Sequence, residues 1–316
     1  RVICLAVIER ARTRQASRVT NIKLGDANTK YFHRRVNVRR RKNHIQRLRK
    51  DQGWAVSHEE KSAVVQEHFQ KIMNRPPQRQ IDLNWERLQI SPHNLDMLVD
   101  EFTETEIRCA INQMPSDKAP GPDGFTGLFF KECWDIIKVD VMNAANAFHQ
   151  LRTSNLAILN TANEAVSDFR PISLIHSFAK IIAKVMAMRL APHMNRLISK
   201  SQSAFIKKRS IHDNFMSVRC AVRRFHRAKT PALFLKLDIS KAFDSVRWEY
   251  LLTLMSKLGF PPKWREWVAA LLSTSSSRIL LNGVPNAPIK HGRGVRQGDP
   301  LSPLLFVIAI DPLQRL

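Results

Sequence analysis

One stretch of the sequence constrains the fold more than any other, because an alternating apolar run, an aspartate and an amphipathic helix follow one another directly. The run 232–238 predicts a strand with one buried face that ends on Asp238. Apolar residues then recur at helical spacing from Phe243 to Leu258, and Gly259 predicts the end of that helix. An aspartate held at such a point suits phosphoryl transfer, whose metal ions take oxygen ligands. The alternative is an ordinary helix N-cap.

The charge balance favours a polyanionic partner. Across 316 residues the formal net charge is +24, and residues 1–50 hold 16 Lys or Arg against only Glu9 and Asp26. Each phosphate that a Lys or Arg neutralises releases condensed counterions, so nucleic acid is the first partner to consider. A basic face that is merely solvated is the alternative.

Cysteine spacing and hydropathy argue against other classes. The 4 cysteines have no paired spacing, so the sequence predicts neither a zinc site nor a disulfide framework, and a reducing compartment fits. No apolar run reaches the roughly 18 residues that a membrane span requires. We therefore expect an intracellular protein, in the nucleus or the cytoplasm, with no membrane partner and an oligomeric state that the sequence leaves open.

Residues 10–50 combine clustered cations with aromatic rings. This mixture suits single-stranded RNA or DNA, because bases stack on rings while cations hold phosphates. The candidate contacts in this predicted basic helical region are Arg34, Arg35, Arg39, Arg40, Arg41 and Lys42.

Hydrophobic periodicity predicts the scaffold helices. In the helix 103–114, Thr103 is the expected N-cap and Glu106 its capping-box partner. In the helix 176–198, Arg189 is expected on the outer face with Lys180 and Lys184. The other predicted helices cover 59–73, 214–229 and a segment that buries Trp264 and Trp267.

The last third of the chain carries clear turn and cap signals. Asn282–Gly283 is the favoured pair for a tight primed turn between two strands. We expect those strands and the run 232–238 to share one antiparallel sheet. Ser302 followed by Pro303 predicts the N-cap and first position of an apolar helix.

A second motif gives the Asp238 stretch its context. It reads Gly292-Arg-Gly-Val-Arg-Gln-Gly-Asp-Pro-Leu-Ser-Pro. Together the two stretches resemble the reverse transcriptases of non-LTR retrotransposons, the long interspersed elements, and most closely the plant type. The resemblance covers nearly the whole chain in the order of the family, through the segments Gly25-Asp-Ala-Asn-Thr-Lys-Tyr-Phe-His, Lys118-Ala-Pro-Gly-Pro-Asp-Gly-Phe, Asp168-Phe-Arg-Pro-Ile-Ser and Ser201-Gln-Ser-Ala-Phe-Ile.

The resemblance implies an α+β fold, with the fingers and a partial palm of a right-hand polymerase preceded by a basic helical N-terminal region. It implies RNA-directed DNA polymerase activity in the full-length protein, acting on an RNA template, a DNA primer and deoxynucleoside triphosphates. The corresponding division is a basic N-terminal extension at 1–76, a helical connector at 77–115, the fingers at 116–230 and the partial palm at 231–316.

The resemblance also assigns roles to residues. Asp238 is the catalytic carboxylate and, with the carbonyl of Ile239, a ligand of Mg²⁺ in a two-metal mechanism. Arg170 grips the triphosphate, although a local salt bridge is the alternative for this residue. Phe243 packs under the sugar and excludes a 2′-hydroxyl.

Other residues are expected to contact substrate or nucleic acid. Gln297 and Gly298 would contact the incoming nucleotide and the template. The remaining candidate nucleic-acid contacts are Lys118, Lys180, Lys184 and Arg209.

The sequence also departs from the family pattern. Lys207–Lys208 replaces the usual Pro-Gly, and the segment 154–166 lacks the usual Ile-Pro-Lys. The sequence reaches Leu316 before the Ala-Asp-Asp motif, so it reads as truncated there and we expect this fragment alone not to polymerise. The alternative is a non-catalytic nucleic-acid-binding protein derived from a decayed retroelement copy.

Overall fold

The structure, a computed structural model, describes most of the chain in two compact units. The first unit consists of Arg1–Val64 with Leu280–Val284, and the second of Val65–Ile279 with Pro285–Leu316. The four-part division predicted from sequence remains a prediction. The described residues are 29–50, 53–77, 83–116, 123–151, 158–163, 172–174, 176–233, 235, 238–239, 241–296 and 298–314.

The first unit contains a basic helix and a short hairpin. Helix α1 (Thr29–Asn43) ends in a basic last turn, where cations interact favourably with the helix dipole. Strands β1 (Leu48–Arg49) and β2 (Trp54–Ala55) then pair antiparallel. The Arg47 guanidinium lies 4.4 Å from the centroid of the Trp54 ring, a cation–π contact.

Polar contacts around Ile45 hold the first unit together. The buried Lys61, from helix α2 (His58–Met73), donates to the carbonyls of Ile45 and Gln46 at 3.1 and 3.2 Å. The Asn282 amide accepts from the Ile45 N–H at 2.9 Å and donates to its carbonyl at 3.0 Å. Asn282 and Gly283 have φ of 53° and 91°, which confirms the predicted primed turn.

The second unit is mainly helical. A 3-10 turn at Asp96–Val99 precedes the first of its complete helices, and two others lie at Ala191–His193 and Asp311–Gln314. The helices are α3 (Glu104–Asn112), α4 (Gly127–Glu132), α5 (Trp134–His149), α6 (Ser177–Leu190), α7 (Met194–Leu197), α8 (Ile211–Arg227), α9 (Ala242–Ser245), α10 (Trp248–Lys257), α11 (Pro262–Ser273) and α12 (Ser302–Ile310).

One hydrophobic cluster forms the core of the second unit. It extends from Leu95 to Ala309 and includes most inner residues of α6, α11 and α12. Trp264 and Trp267 are both 0% exposed, which confirms that they are core residues. Each aromatic side chain of this size buries roughly 200 Å², so the pair dominates this part of the core.

Helix α6 is fixed to α3 by a fully engaged arginine. The Arg189 side chain is 9% exposed, so the prediction that it faces outward is wrong. Its Nε and Nη2 donate to the two Glu106 carboxylate oxygens at 2.7 and 2.8 Å, and Nη1 donates to the carbonyls of Leu98 and Asp100. Hydrogen bonding by Arg189 lowers the pKa of Glu106. Glu106 also completes the predicted capping box with Thr103.

The structure also contains a five-stranded sheet. Its order is β4–β3–β5–β6, with β7 also paired to β5. The β3–β4 and β5–β7 pairs are antiparallel, with Ala162 opposite Ser173 and Ser277 opposite Ile289. The strands are β3 (Ile158–Asn163), β4 (Ile172–Leu174), β5 (Ser275–Leu281), β6 (Val284–Pro285) and β7 (Ile289–Lys290).

The predicted strand 232–238 is not formed in the described residues of that run. Leu233 is 92% exposed and Leu235 is 70% exposed, so the two described leucines of the expected inner face are not buried. The described strand order does not include this segment. A strand needs a neighbouring strand to bond its N–H and C=O groups, and no described strand pairs with the segment 232–238. The single helix predicted after Asp238 is divided into α9 and α10 at Val246–Arg247.

Helix α8 confirms a predicted helix but exposes all of its residues in the described structure. It is amphipathic, since apolar residues recur three or four apart along one face. This face is formed by Ile211, Phe215, Val218, Val222 and Phe225, each between 41% and 69% exposed.

Candidate active site

The two sequence motifs lie against each other in the second unit. The Val295 N–H donates to the Phe243 carbonyl at 2.9 Å, and the Gly294 N–H donates to the Val246 carbonyl at 2.7 Å. The Trp248 indole donates to the Gly294 carbonyl at 2.7 Å. The start of the Gly292 motif is therefore fixed beside the residues that follow Asp238.

Gly294 is required for this close approach. Its φ is +85°, and a Cβ at this position would lie 3.0 Å from both the Cα and the carbonyl oxygen of Asp244. A side chain would push the two segments apart and would also strain the backbone. The glycine thus lets two segments about fifty residues apart in sequence share main-chain hydrogen bonds.

The beginning of the same motif is anchored on the end of α2. The Gly292 N–H donates to the Met73 carbonyl at 2.7 Å. The Arg293 side chain donates to the carbonyls of Ile72 and Lys71 at 2.5 and 2.8 Å. These carbonyls have no partner within the last turn of a helix, so the motif also serves as its C-terminal cap.

Aromatic contacts orient the Phe243 ring. It stacks on Phe306 of α12 with centroids 4.4 Å apart and an interplanar angle of 15°. The Phe205 ring lies edge-on to the Phe243 ring, with centroids 6.5 Å apart and an interplanar angle of 87°. Phe243 is half-buried, so its ring is held in place while part of its surface remains accessible.

The carboxylates near this point differ in environment. Asp238 and Ile239 are exposed and lie outside regular secondary structure. Asp244 is partly buried, and this burial raises the pKa of its carboxyl, with Lys241 and Arg293 acting in the opposite direction. In the part of the chain that the structure describes, no group of three His, Cys, Asp or Glu side chains could hold a metal ion.

The residues after Gln297 build a buried polar cluster. The Asp299 carboxylate accepts from the N–H groups of Leu301 and Ser302 at 2.8 and 3.3 Å. The Asp299 side chain therefore caps α12. The prediction that Ser302 is the N-cap is wrong, because Ser302 is the first residue of the helix and Leu301 precedes it. Burial raises the pKa of Asp299, and the charge of Arg296 opposes that shift.

Arg296 and His291 complete this cluster. Arg296 is buried and donates to the Leu271 carbonyl, while its Nε has no partner among the described residues. His291 Nε2 lies 2.8 Å from the Ser277 hydroxyl. Burial, and secondarily the Arg296 charge, lowers the pKa of His291 to about 4, so this imidazole is neutral at physiological pH.

The loop from Lys118 has a structural role at its end. The Asp123 carboxylate accepts from the Ser177 N–H at 2.6 Å and from the Ser177 hydroxyl at 3.2 Å. It therefore caps α6 from a distant segment. Sequence reasoning missed this role, because the aspartate is read locally as a turn residue.

The other predicted site residues are distributed unevenly. Lys180 and Lys184 are half-exposed on α6, and Gly298 is exposed. Arg34, Arg35, Arg40, Arg41 and Lys42 are exposed on α1, which also carries Arg39. Arg170, Gln297 and Lys118 lie outside the described residues.

Arg209 serves the fold. It makes five hydrogen bonds, four to the carbonyls of Asn195, Ile198, Ser199 and Gln202 and one to the Asn195 side chain. A guanidinium has five N–H donors, so this arrangement leaves no free donor for the nucleic-acid contact expected from the sequence.

Comparison with known proteins assigns the chain to a family. Residues 160–316 match the reverse transcriptase (RNA-dependent DNA polymerase) family. The chain belongs to that family, and its described residues form the mixed α and β fold that the sequence predicts. Members of the family generally use divalent metal ions.

The relatives narrow the class to non-LTR retrotransposons. The chain is 32% identical to the Transposon TX1 uncharacterized 149 kDa protein of Xenopus laevis over 238 residues, 72% of this chain and 18% of that protein. It is 26% identical to the Pol polyprotein of the type-2 retrotransposable element R2DM of Drosophila melanogaster, over 80% of this chain and 24% of that protein. The chain is a reverse transcriptase domain of this retrotransposon type and spans less than a quarter of either relative.

Two further findings concern structural similarity and membrane-spanning helices. A solved Partial Cas6-RT-Cas1–Cas2 complex contains a chain with 17% identity and a TM-score of 0.42, covering 90% of this chain and 51% of that one. Among the described residues, no helix combines the length and the apolar character needed to cross a membrane.

Proposed function

We propose that the second unit selects the incoming deoxynucleotide for an RNA-directed DNA polymerase, at a site between the Asp238 stretch and the Gln297–Gly298 motif. The hydrogen bond between Val295 and Phe243 supports this proposal most strongly. It joins the main chain two residues before Gln297 to the main chain of Phe243, the residue whose ring is expected to lie under the sugar. The RNA template, the DNA primer and the deoxynucleoside triphosphate are the proposed partners.

Asp238 and Ile239 are the proposed Mg²⁺ ligands. A carboxylate and a backbone carbonyl are hard oxygen donors of the kind that Mg²⁺ prefers, so they fit as part of a ligand set shared with phosphate oxygens. Mg²⁺ held there would supply charge neutralisation at the phosphates and would make the primer 3′-hydroxyl a better nucleophile. The exposure of Asp238 leaves its carboxylate open to such a ligand set.

Phe243 is the proposed sugar-selecting residue. Its ring is braced by Phe306 from one side and by Phe205 at its edge. A ring held in this way cannot move aside for an additional hydroxyl. We expect Phe243→Ala to bind ribonucleotides and deoxynucleotides with similar affinity.

Nucleotide selection can be measured without catalysis. A labelled RNA template carrying a DNA primer with a blocked 3′ end and one unpaired template base is titrated with protein, Mg²⁺ and each nucleotide in turn. The matching deoxynucleotide is expected to tighten binding by about tenfold, which corresponds to about 1.4 kcal/mol. Asp238→Asn should abolish this effect, whereas Asp135→Asn, an exposed aspartate on α5, should leave it intact.

The same assay separates this proposal from non-catalytic binding by a decayed copy. A protein that only binds nucleic acid would hold the primed template equally well with matching and mismatched nucleotides. Equal binding in all four cases would therefore contradict the proposed function.

We further predict that residues 1–316 alone do not extend a primer. One exposed carboxylate cannot hold two Mg²⁺ ions against the combined charge of the triphosphate and the primer. The measurement is extension of an unblocked primer on an RNA template, with Asp238→Asn as the control. Extension by the unaltered chain that is lost in Asp238→Asn would contradict the prediction.

A further inference from the structure

A positively charged cleft of about 720 Å³, called the lysine cleft below, opens in the second unit. Its walls come from α6, from the loop 203–209 and from the start of α12. Lys184, Lys207 and Lys208 line it together with Phe205 and Pro303, and its lining contains no Asp or Glu. The cleft is large enough for one or two nucleotide units, since small-molecule sites commonly enclose 300–1,000 Å³.

The three ammonium groups in this cleft lack counter-charges. Within the described residues, the side chains of Lys184, Lys207 and Lys208 make no hydrogen bond and no ion pair. Like charges gathered around one concave surface raise its positive potential and attract anions. An anionic ligand would relieve their mutual repulsion.

The loop that supplies two of these lysines is strained and firmly anchored. Phe205 and Lys208 have φ of 59° and 68°, in the left-handed region that side chains rarely adopt. Ile206 is buried between them, and the Arg209 guanidinium ties the following residue to four backbone carbonyls. Strained conformations persist where the surroundings over-determine them, and they cluster at ligand-binding sites.

The anchored loop presents an aromatic ring beside these cations. Phe205 is 58% exposed and lines the cleft. The edge contact between Phe205 and Phe243 connects the cleft to the candidate nucleotide site. An accessible ring next to cations is the combination that holds single strands, because a base stacks on the ring while the cations contact phosphates.

We propose that this cleft binds the single-stranded RNA template directly ahead of the nucleotide site, with one base on Phe205 and phosphates on Lys184, Lys207 and Lys208. This inference rests on the proposed function and names the part of the template that these residues hold. A base inside a duplex cannot present its face to a side chain, so the ligand is the unpaired strand.

The test compares two primed templates with blocked primers. One has a single unpaired template base and the other has six. The chain is expected to bind the six-base overhang more tightly. The variant Lys184→Gln/Lys207→Gln should lose most of that gain, and its salt slope on the longer overhang should fall by about 1.4, at roughly 0.7 per lost single-strand phosphate contact.

The matched control is Lys138→Gln/Lys257→Gln, which removes one half-exposed and one exposed lysine away from the cleft. Equal losses in the two double variants would overturn the proposal. Nucleotide selection on the single-base overhang tests the proposed function separately. A variant that loses the preference for the six-base overhang, but still distinguishes matching from mismatched nucleotides, is defective in the cleft alone. Free triphosphate could also displace the six-base overhang at concentrations that leave the complex with the single-base overhang intact. In that case the lysines bind the nucleotide, and this result would also overturn the proposal.

Phe205 is tested with an overhang that lacks the first unpaired base beyond the templating position. If a base stacks on the ring, removing either partner should weaken binding by about fivefold or more. Removing both should add little further loss. Additive losses from Phe205→Ala and the abasic overhang would contradict stacking. Thermal unfolding of each variant without nucleic acid identifies any that lose affinity through misfolding.

Discussion

At the residue scale, backbone conformation explains the significance of the Lys207–Lys208 pair. The family that the sequence resembles usually has glycine at the second position, and Lys208 has a φ of 68° here. A left-handed conformation costs a residue with a Cβ about 1–2 kcal/mol, a cost that glycine does not carry. This chain therefore retains strain together with a charge that faces the cleft.

Lys208→Gly is expected to increase the free energy of unfolding by about 1 kcal/mol, because it removes that strain at a small entropic cost. The measurement is chemical denaturation in the absence of nucleic acid. Lys208→Ala retains the Cβ and should give no increase. Equal stabilisation by both variants would attribute the effect to charge instead of conformation.

His291 predicts a pH dependence of stability. Its folded-state pKa of about 4 lies below the ordinary value of 6.5, so the unfolded chain binds more protons between these values. Its contribution is fully present above about pH 6.5 and is lost as the pH falls toward 4. We expect the stability of the unaltered chain relative to His291→Gln to decline over this window.

The glutamine variant retains a polar group for the Ser277 hydroxyl but does not titrate. Comparing the two proteins cancels the opposite effects of Asp244 and Asp299, whose pKa values are raised. Unfolding free energies at several pH values provide the measurement. A constant difference between the proteins from pH 7 to pH 4 would contradict the prediction.

At the element scale, α6 is positioned by polar contacts from two distant segments. Asp123 caps its first turn, and Arg189 in its last turn holds Glu106 and three carbonyl groups. The Arg189 guanidinium also lies 4.7 Å from the centroid of the Phe102 ring. Since α6 also forms one wall of the lysine cleft, these contacts fix the position of Lys184.

Arg189→Lys is expected to destabilise the protein by about 2 kcal/mol, because an ammonium cannot reproduce the bidentate pairing or the carbonyl contacts. Denaturation measures the loss. Arg196→Lys is the control, since Arg196 makes one exposed hydrogen bond, to the Asn94 carbonyl. Similar small losses in the two variants would show that the Arg189 network contributes little.

At the scale of the whole molecule, the charge of +24 predicts strongly salt-dependent binding of nucleic acid. The exposed cations of α1 concentrate part of this charge on one helix. They offer no evident means of reading bases, so binding should have little sequence preference. We therefore propose helix α1 and the lysine cleft as separate nucleic-acid contacts.

We expect a weaker salt dependence of RNA binding when glutamine replaces the six cations of α1, which are Arg34, Arg35, Arg39, Arg40, Arg41 and Lys42. The slope of log affinity against log salt concentration for single-stranded RNA should fall by at most about 4, at roughly 0.7 per phosphate. The measurement is binding affinity at several salt concentrations with two unrelated RNA sequences. Deleting residues 1–50 should have at least the same effect. Unchanged affinity at moderate ionic strength after that deletion would exclude this region as a binding surface.

The sequence by itself determined the features that depend on near neighbours. Thr103 with Glu106, the Asn282–Gly283 turn and the buried faces around Trp264 and Trp267 are specified within one or two turns of chain. Hydrogen bonding and periodic burial act over those distances, so the residues alone predict them. The two motifs of the candidate site and their order were also recognisable from the residues.

Only the tertiary structure decided the remaining features, because they depend on partners far away in sequence. Asp299 replaces Ser302 as the cap of α12, and Arg189 turns inward because Glu106 lies beside it. The segment 232–238 has an alternating pattern, yet in its described residues it forms no strand, since a strand needs a neighbour as well as a pattern. The closeness of Phe243, Phe205 and the lysine cleft likewise depends on long-range packing, which spacing along the chain does not encode.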